Sequence, residues 1–211
     1  SNLKEKLKQA LTSTVRVISE DFTKNKDEAQ NKSSKNFDLF NIDDFNSKSD
    51  FIKLRAEADS SALKIKFSDN KIFKKNLPSS SSCKSLYSIA EKIRYELLGS
   101  KMLKGIEKNL KENYEQIIKL KRRDQLKTKE DVPLNEAFEL YMLKKFHNIE
   151  LNSLTNTMLE FWENDFNKEI EKHIKFLKEN IENQNIYSSK FSEILEKMEI
   201  LQNEENEESK E

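Results

Sequence analysis

Apolar side chains recur three and four positions apart through most of the chain, the pattern of helices that each bury one face. Leu3, Leu7, Leu11, Val15 and Ile18 mark a helix over 3–20. Leu54, Ala58, Ala62 and Ile65 mark another over 50–65, capped by Ser49 or Asp50. Leu63, Ile65 and Phe67 before Ser68, with Ile72 and Phe73 after Asn70, also fit one short hairpin within 60–77. The alanine-rich run before Leu63 favours the helix, and both readings stay open. Pro78 and the serines at 79–82 form a connector, with Ser81 or Ser82 as cap of a helix over 83–98.

The stretch from Glu91 to Leu110 reads as one helix ending and another beginning. Leu86, Ala90, Ile93 and Leu97 supply the first apolar face; Met102, Ile106 and Leu110 restart the period in a helix over 101–122. Gly99 between them is expected to end the first helix in a left-handed turn, a conformation that costs other residues roughly 1 kcal/mol. Gly105 is the only other glycine in the chain. The two are read as packing positions at a helical corner.

Residues 122–132 read as a polar linker. Pro133 then suits the first position of a helix over 133–146. Asn152 or Ser153 caps a segment with Leu154, Met158, Phe161 and Trp162, and Phe166, Ile170, Ile174, Leu177 and Ile181 form a separate long helix. Phe191, Ile194, Leu195, Met198 and Leu201 form the last one. Two stretches break the pattern. Residues 23–49 are rich in Lys, Asn, Asp and Ser around an island of Phe37, Leu39, Phe40, Ile42 and Phe45, and are expected to be a flexible insertion whose island docks on the body. Residues 202–211 are acidic and expected to be an unfolded linker.

Composition sharpens this reading. Hydrophobic residues make up 35% of the 211-residue chain and charged residues 36%, close to the disordered side of the usual balance. The thirteen Phe fall at helical spacing, and two Gly and two Pro leave little material for hairpins. The fold class is therefore mostly α, an irregular multi-helix bundle forming a single domain over 1–201. Thirty-eight basic and thirty-eight acidic residues cancel, which argues against a dedicated nucleic-acid domain. One cysteine, Cys83, cannot form a disulfide framework or a thiolate zinc site, and fits a reducing cytoplasm. No apolar run approaches the ~20 residues that cross a bilayer. Ser1-Asn2 without methionine reads as the scar of a cleaved tag on a piece of a longer protein.

Candidate chemistry is sparse. His147 and His173 have no neighbours at ligand spacing, so surface or hydrogen-bonded histidines are the simpler reading. Neither glycine belongs to a phosphate-cradling loop. The basic run Lys119, Lys121, Arg122, Arg123, Lys127 and Lys129 could meet phosphate; it contains no stacking aromatics and reads better as a solvated helix end. Charges inside apolar patterns say more. Arg55 and Asp59 share a helix face, and Glu91, Arg94 and Glu96 lie on the helix leading to Gly99. These five are expected to form a structural polar network that fixes which helices meet. No catalytic, metal or cofactor residue is assigned.

The order of these residues resembles a known family. LKQALTSTVRVIS at 7–19, RAEADSSAL at 55–63, Asp69 and Pro78 come first. Glu91, Arg94, Glu96, Gly99, Met102, Gly105, Asn109 and Leu110 follow, with Tyr114 and DVPLNEA at 131–137 after them. Together they resemble the N-terminal region of the CobT family, subunits of the ATP-dependent aerobic cobaltochelatase of cobalamin biosynthesis. The resemblance implies a CobS-like AAA+ ATPase and a CobN-like large subunit as partners, with self-association in a ring. It implies cobalt insertion into hydrogenobyrinic acid a,c-diamide by a complex that uses ATP, Mg and cobalt, and a C-terminal von Willebrand A-type domain beyond the acidic stretch. The helical part itself would be non-catalytic, coupling motion through packed surfaces. A helical scaffold of an AAA+ complex unrelated to corrin synthesis is the alternative. Where many family members carry histidines, this chain has Ser68 and Phe73 or Lys74, so no metal role follows there.

Overall fold

The computed structural model describes residues 2–19, 47–122 and 126–201. Among them there are nine α-helices, two short 3-10 turns and no strand. The insertion with its Phe island and the acidic stretch 202–211 lie outside the described residues.

Helix α1 (Asn2–Ser19) turns Leu11, Val15 and Ile18 inward. Helix α2 (Lys48–Phe67) settles the ambiguity at 60–77 in favour of helix, and a short helix α3 (Asn70–Lys75) follows it; no hairpin is present there. Its cap is neither Ser49 nor Asp50 but Ser47. The Ser47 hydroxyl accepts from the Asp50 N–H, while the Asp50 carboxylate accepts from the Ser47 N–H at 2.8 Å. This reciprocal box needs the serine three residues before the acid, which is why the cap moves upstream. Asp69 caps α3 through the N–H groups of Lys71 and Ile72.

Helix α4 (Ser81–Met102) is the axis of the molecule, about 33 Å long for its 22 residues. Ser80 caps it, accepting from the Cys83 N–H at 3.1 Å, one residue before the expected caps. Gly99 does not end this helix. Its φ is not positive, and the helix continues to Met102 before Leu103 adopts extended backbone. Helix α5 (Lys104–Leu120) starts there without a side-chain cap.

Pro133 lies just before α6 (Leu134–Phe146), at the N-cap and not at the expected first helical position, with no side-chain cap bond. The helix is followed by a left-handed residue, Asn148, at φ 52. The Ile149 and His147 N–H groups both donate to the Leu143 carbonyl, closing the helix as glycine stops usually do. Asn152 caps α7 (Ser153–Ile170), which joins the two segments read as separate. The chain then bends through a 3-10 turn at Glu171–His173 into α8 (Ile174–Glu179). Asn183 caps α9 (Gln184–Glu196).

Two apolar cores meet on α4 and α5. The larger gathers Leu86, Tyr87, Ala90 and Ile93 of α4 with Phe138, Tyr141 and Met142 of α6, Phe166 of α7 and Phe191 and Leu195 of α9. The smaller gathers Leu11 and Val15 of α1, Leu54, Ala58 and Leu63 of α2, Tyr95 of α4 and Ile106 and Leu110 of α5. Shared membership of α4 and α5 ties the two together.

Candidate functional site

Charged groups converge where α2 ends, against the middle of α4. Arg94, Glu91 and Glu96 are almost wholly buried on α4, and Asp59 on α2. An ion inside apolar packing is tolerable only when its charge and hydrogen-bonding capacity are met. Arg94 meets that condition. Its Nε and Nη2 donate to the two oxygens of Glu91, each at 2.9 Å. Its Nη1 donates to the Ile181 carbonyl at 3.0 Å and its Nη2 also to the Phe67 carbonyl at 2.5 Å.

Glu91 is equally engaged. Beyond the two Arg94 bonds, its Oε1 accepts from Ser68 Oγ at 2.8 Å and from Gln184 Nε2 at 3.1 Å. Gln184 in turn takes the Asp69 N–H at 2.7 Å and donates to the Asp69 carbonyl. The α2–α3 turn, the α8–α9 turn and α4 are thereby pinned to one ion pair. Ser68 and Gln184 escape a sequence reading. Only the fold brings them to Glu91, and neither lies at helical spacing from it.

Glu96 forms a second centre. Ser60 Oγ donates to its Oε1 at 2.6 Å and Tyr114 Oη to its Oε2 at 2.5 Å, joining α2, α4 and α5. Burial raises its pKa above the ordinary 4.5, against the Lys92 charge and the two hydroxyl donors. Asp59 makes a third contact, accepting from Asn109 Nδ2 at 2.7 Å, and burial raises its pKa too. Arg55 is exposed and lies over the Phe51 ring at 5.4 Å, acting on Asp59 as a nearby charge. The five residues thus occupy three separate arrangements and not one network.

The glycines differ from each other. A Cβ on Gly99 would run into Leu63, whose Cγ would lie 2.9 Å away and whose two terminal methyls would lie closer still. Gly99 is therefore the contact point of α4 on α2. A Cβ on Gly105 would meet nothing within 4 Å, so that residue is no packing position.

The remaining candidates scatter. Cys83 is buried, its thiol on the Leu195 carbonyl at 3.6 Å. His147 follows α6, facing the Tyr114 ring at 6.2 Å; burial lowers its pKa to about 4. In the basic run, Arg122 donates to the Lys119 and Lys121 carbonyls, Lys121 pairs with Glu136, and Lys129 lies over Trp162 beside Asp165. Arg123 lies outside the described residues. Among the described residues, no three His, Cys, Asp or Glu side chains group as metal ligands. No helix among them is long and apolar enough to cross a membrane.

What this arrangement does chemically is hold position: the Glu91 and Glu96 carboxylates are occupied by donors from neighbouring elements. No curated protein and no solved structure matches the chain. A family model does, that of the cobalamin biosynthesis protein CobT, over residues 1–211. Spanning every residue, that match establishes that the chain belongs to the CobT family of cobalamin biosynthesis proteins and, with it, to the subunits of a multi-subunit cobaltochelatase.

Proposed function

We propose that this chain is the non-catalytic helical part of a cobaltochelatase CobT subunit working in the cytoplasm. In this reading it assembles with an AAA+ ATPase of the CobS type. The assembly supports ATP-driven insertion of cobalt into hydrogenobyrinic acid a,c-diamide by a large subunit of the CobN type. The family match over residues 1–211 carries the reading. The architecture supports it: α4 runs through both cores, clamped to α2 by Gly99 and by buried charges. A push on one core is therefore passed to the other by a rigid element, as coupling to a motor requires.

The test is retention of a purified CobS-type ATPase on this immobilised chain, with ATP, with ADP and without nucleotide. Retention that changes with nucleotide is expected; no retention in any state would remove the reading. If the ATPase is held but the three-part assembly inserts no cobalt, the chain is a scaffold for a different client.

A further inference from the structure

Helices α2, α4 and α5 leave an open cavity of about 320 Å³ between them. Its walls are Ser60, Ser61 and Lys64 of α2, Lys92 and Tyr95 of α4, and Asn113 of α5. That volume is at the small end of the ~300–1,000 Å³ typical of ligand pockets.

The charges around it are unequal in what they offer. Glu96 lines the cavity but is only 1% exposed, and both its oxygens accept from Ser60 and Tyr114. Glu57 at the rim faces Lys53 at 3.8 Å. Lys64 and Lys92 are exposed, and neither has a carboxylate within ion-pairing distance among the described residues. Lys92 already acts on the buried Glu96 carboxylate and lies over the Tyr114 ring at 6.0 Å. The least committed charge at the opening is therefore Lys64, with Lys92 facing it from the other wall above a lining of serine and tyrosine hydroxyls. A neighbouring cavity of about 510 Å³ shares Lys64 and Tyr95 and adds Ser68, Ser88 and the Glu91 carboxylate already held by Arg94. Lys64 is thus a wall of both cavities.

We propose that this cavity binds a small oxyanion, a molecule presenting a carboxylate or phosphate group to Lys64 and Lys92. The hydroxyls of Ser61 and Tyr95 supply its remaining hydrogen bonds. The site rests on the cavity alone and stands or falls apart from the chelatase reading.

The experiment titrates the folded chain with inorganic phosphate and, separately, with succinate at low salt. Backbone amide shifts of Ser60, Ser61 and Tyr95 are followed by NMR. Saturable shifts at these amides with either probe are expected, and which probe saturates identifies the group. Lys64→Ala and Lys92→Ala together should weaken that binding about ten-fold or more. The control pair Lys108→Ala and Lys175→Ala, lysines exposed elsewhere, should leave it unchanged. Unchanged circular dichroism of both variants excludes unfolding as the cause. No saturation with either probe, or equal loss in the control, would overturn the proposal.

Discussion

Arg94 holds Glu91 with two hydrogen bonds of equal length, 2.9 Å, one turn apart on the same helix and almost wholly shielded from water. Removing Arg94 leaves Glu91 buried without its counter-charge, with only the Ser68 and Gln184 donors on one oxygen. Arg94→Ala should lower unfolding free energy by ~3 kcal/mol in urea titrations. A loss below ~0.5 kcal/mol would mean that the site relaxes into water. Arg94→Met with Glu91→Leu should recover only part of the loss, because the Phe67 and Ile181 carbonyls still lack their donor.

The two glycines should respond with opposite signs. Gly99→Ala pushes a methyl into fully buried Leu63 and should destabilise by ~1–3 kcal/mol. Gly99→Ala with Leu63→Ala should cost less than the sum of the single changes, measured as a double-mutant cycle. Gly105→Ala, on an open helix face, should stabilise by ~0.5 kcal/mol.

Glu96 makes stability fall as pH rises. Its folded pKa is raised by burial above the unfolded value near 4.5, so between the two the folded chain binds more protons. The contribution is complete below pH 4.5 and disappears as pH passes upward through the folded value. Glu96→Gln, which cannot ionise, should gain on the parent chain as pH climbs through this interval. Unfolding curves of both proteins at matched pH check the difference, since other titrating groups cancel.

His147 works in the opposite direction. Its pKa is lowered by burial from 6.5 to about 4, so the unfolded chain takes the proton first. Stability is retained above pH 6.5 and is lost as pH falls toward 4, by up to ~3 kcal/mol. His147→Gln should lack this acid-side loss in urea titrations at pH 7 and pH 5.

Much of the helix inventory was legible because apolar spacing reports burial directly. Leu11, Val15 and Ile18 point inward as their spacing requires. Corners were less legible. Gly99 looks like a stop because glycine tolerates left-handed backbone, yet it is there because Leu63 occupies the space a side chain would need. The actual left-handed stop falls on Asn148, which nothing in the local periodicity singles out. The join of 153–162 to 166–170 was missed for the same reason: spacing shows faces, not continuity.

The site was half legible. Charges embedded in an apolar period single out Arg55, Asp59, Glu91, Arg94 and Glu96; the last four are buried, and Arg55 is exposed. Spacing within one helix suggested Arg55 as the partner of Asp59, whereas the closer partner, Asn109, comes from α5. Tertiary partners such as Ser68, Gln184 and Tyr114 leave no trace in local spacing.

One guanidinium finds the Phe67 carbonyl already made when it is synthesised, but waits 87 residues for the carbonyl of Ile181. Until that later carbonyl leaves the ribosome, water must take its place at one nitrogen of the guanidinium. A chain halted before that point lacks the tie from α4 to the α8–α9 turn, and should expose that part of α4 to chaperones and proteases.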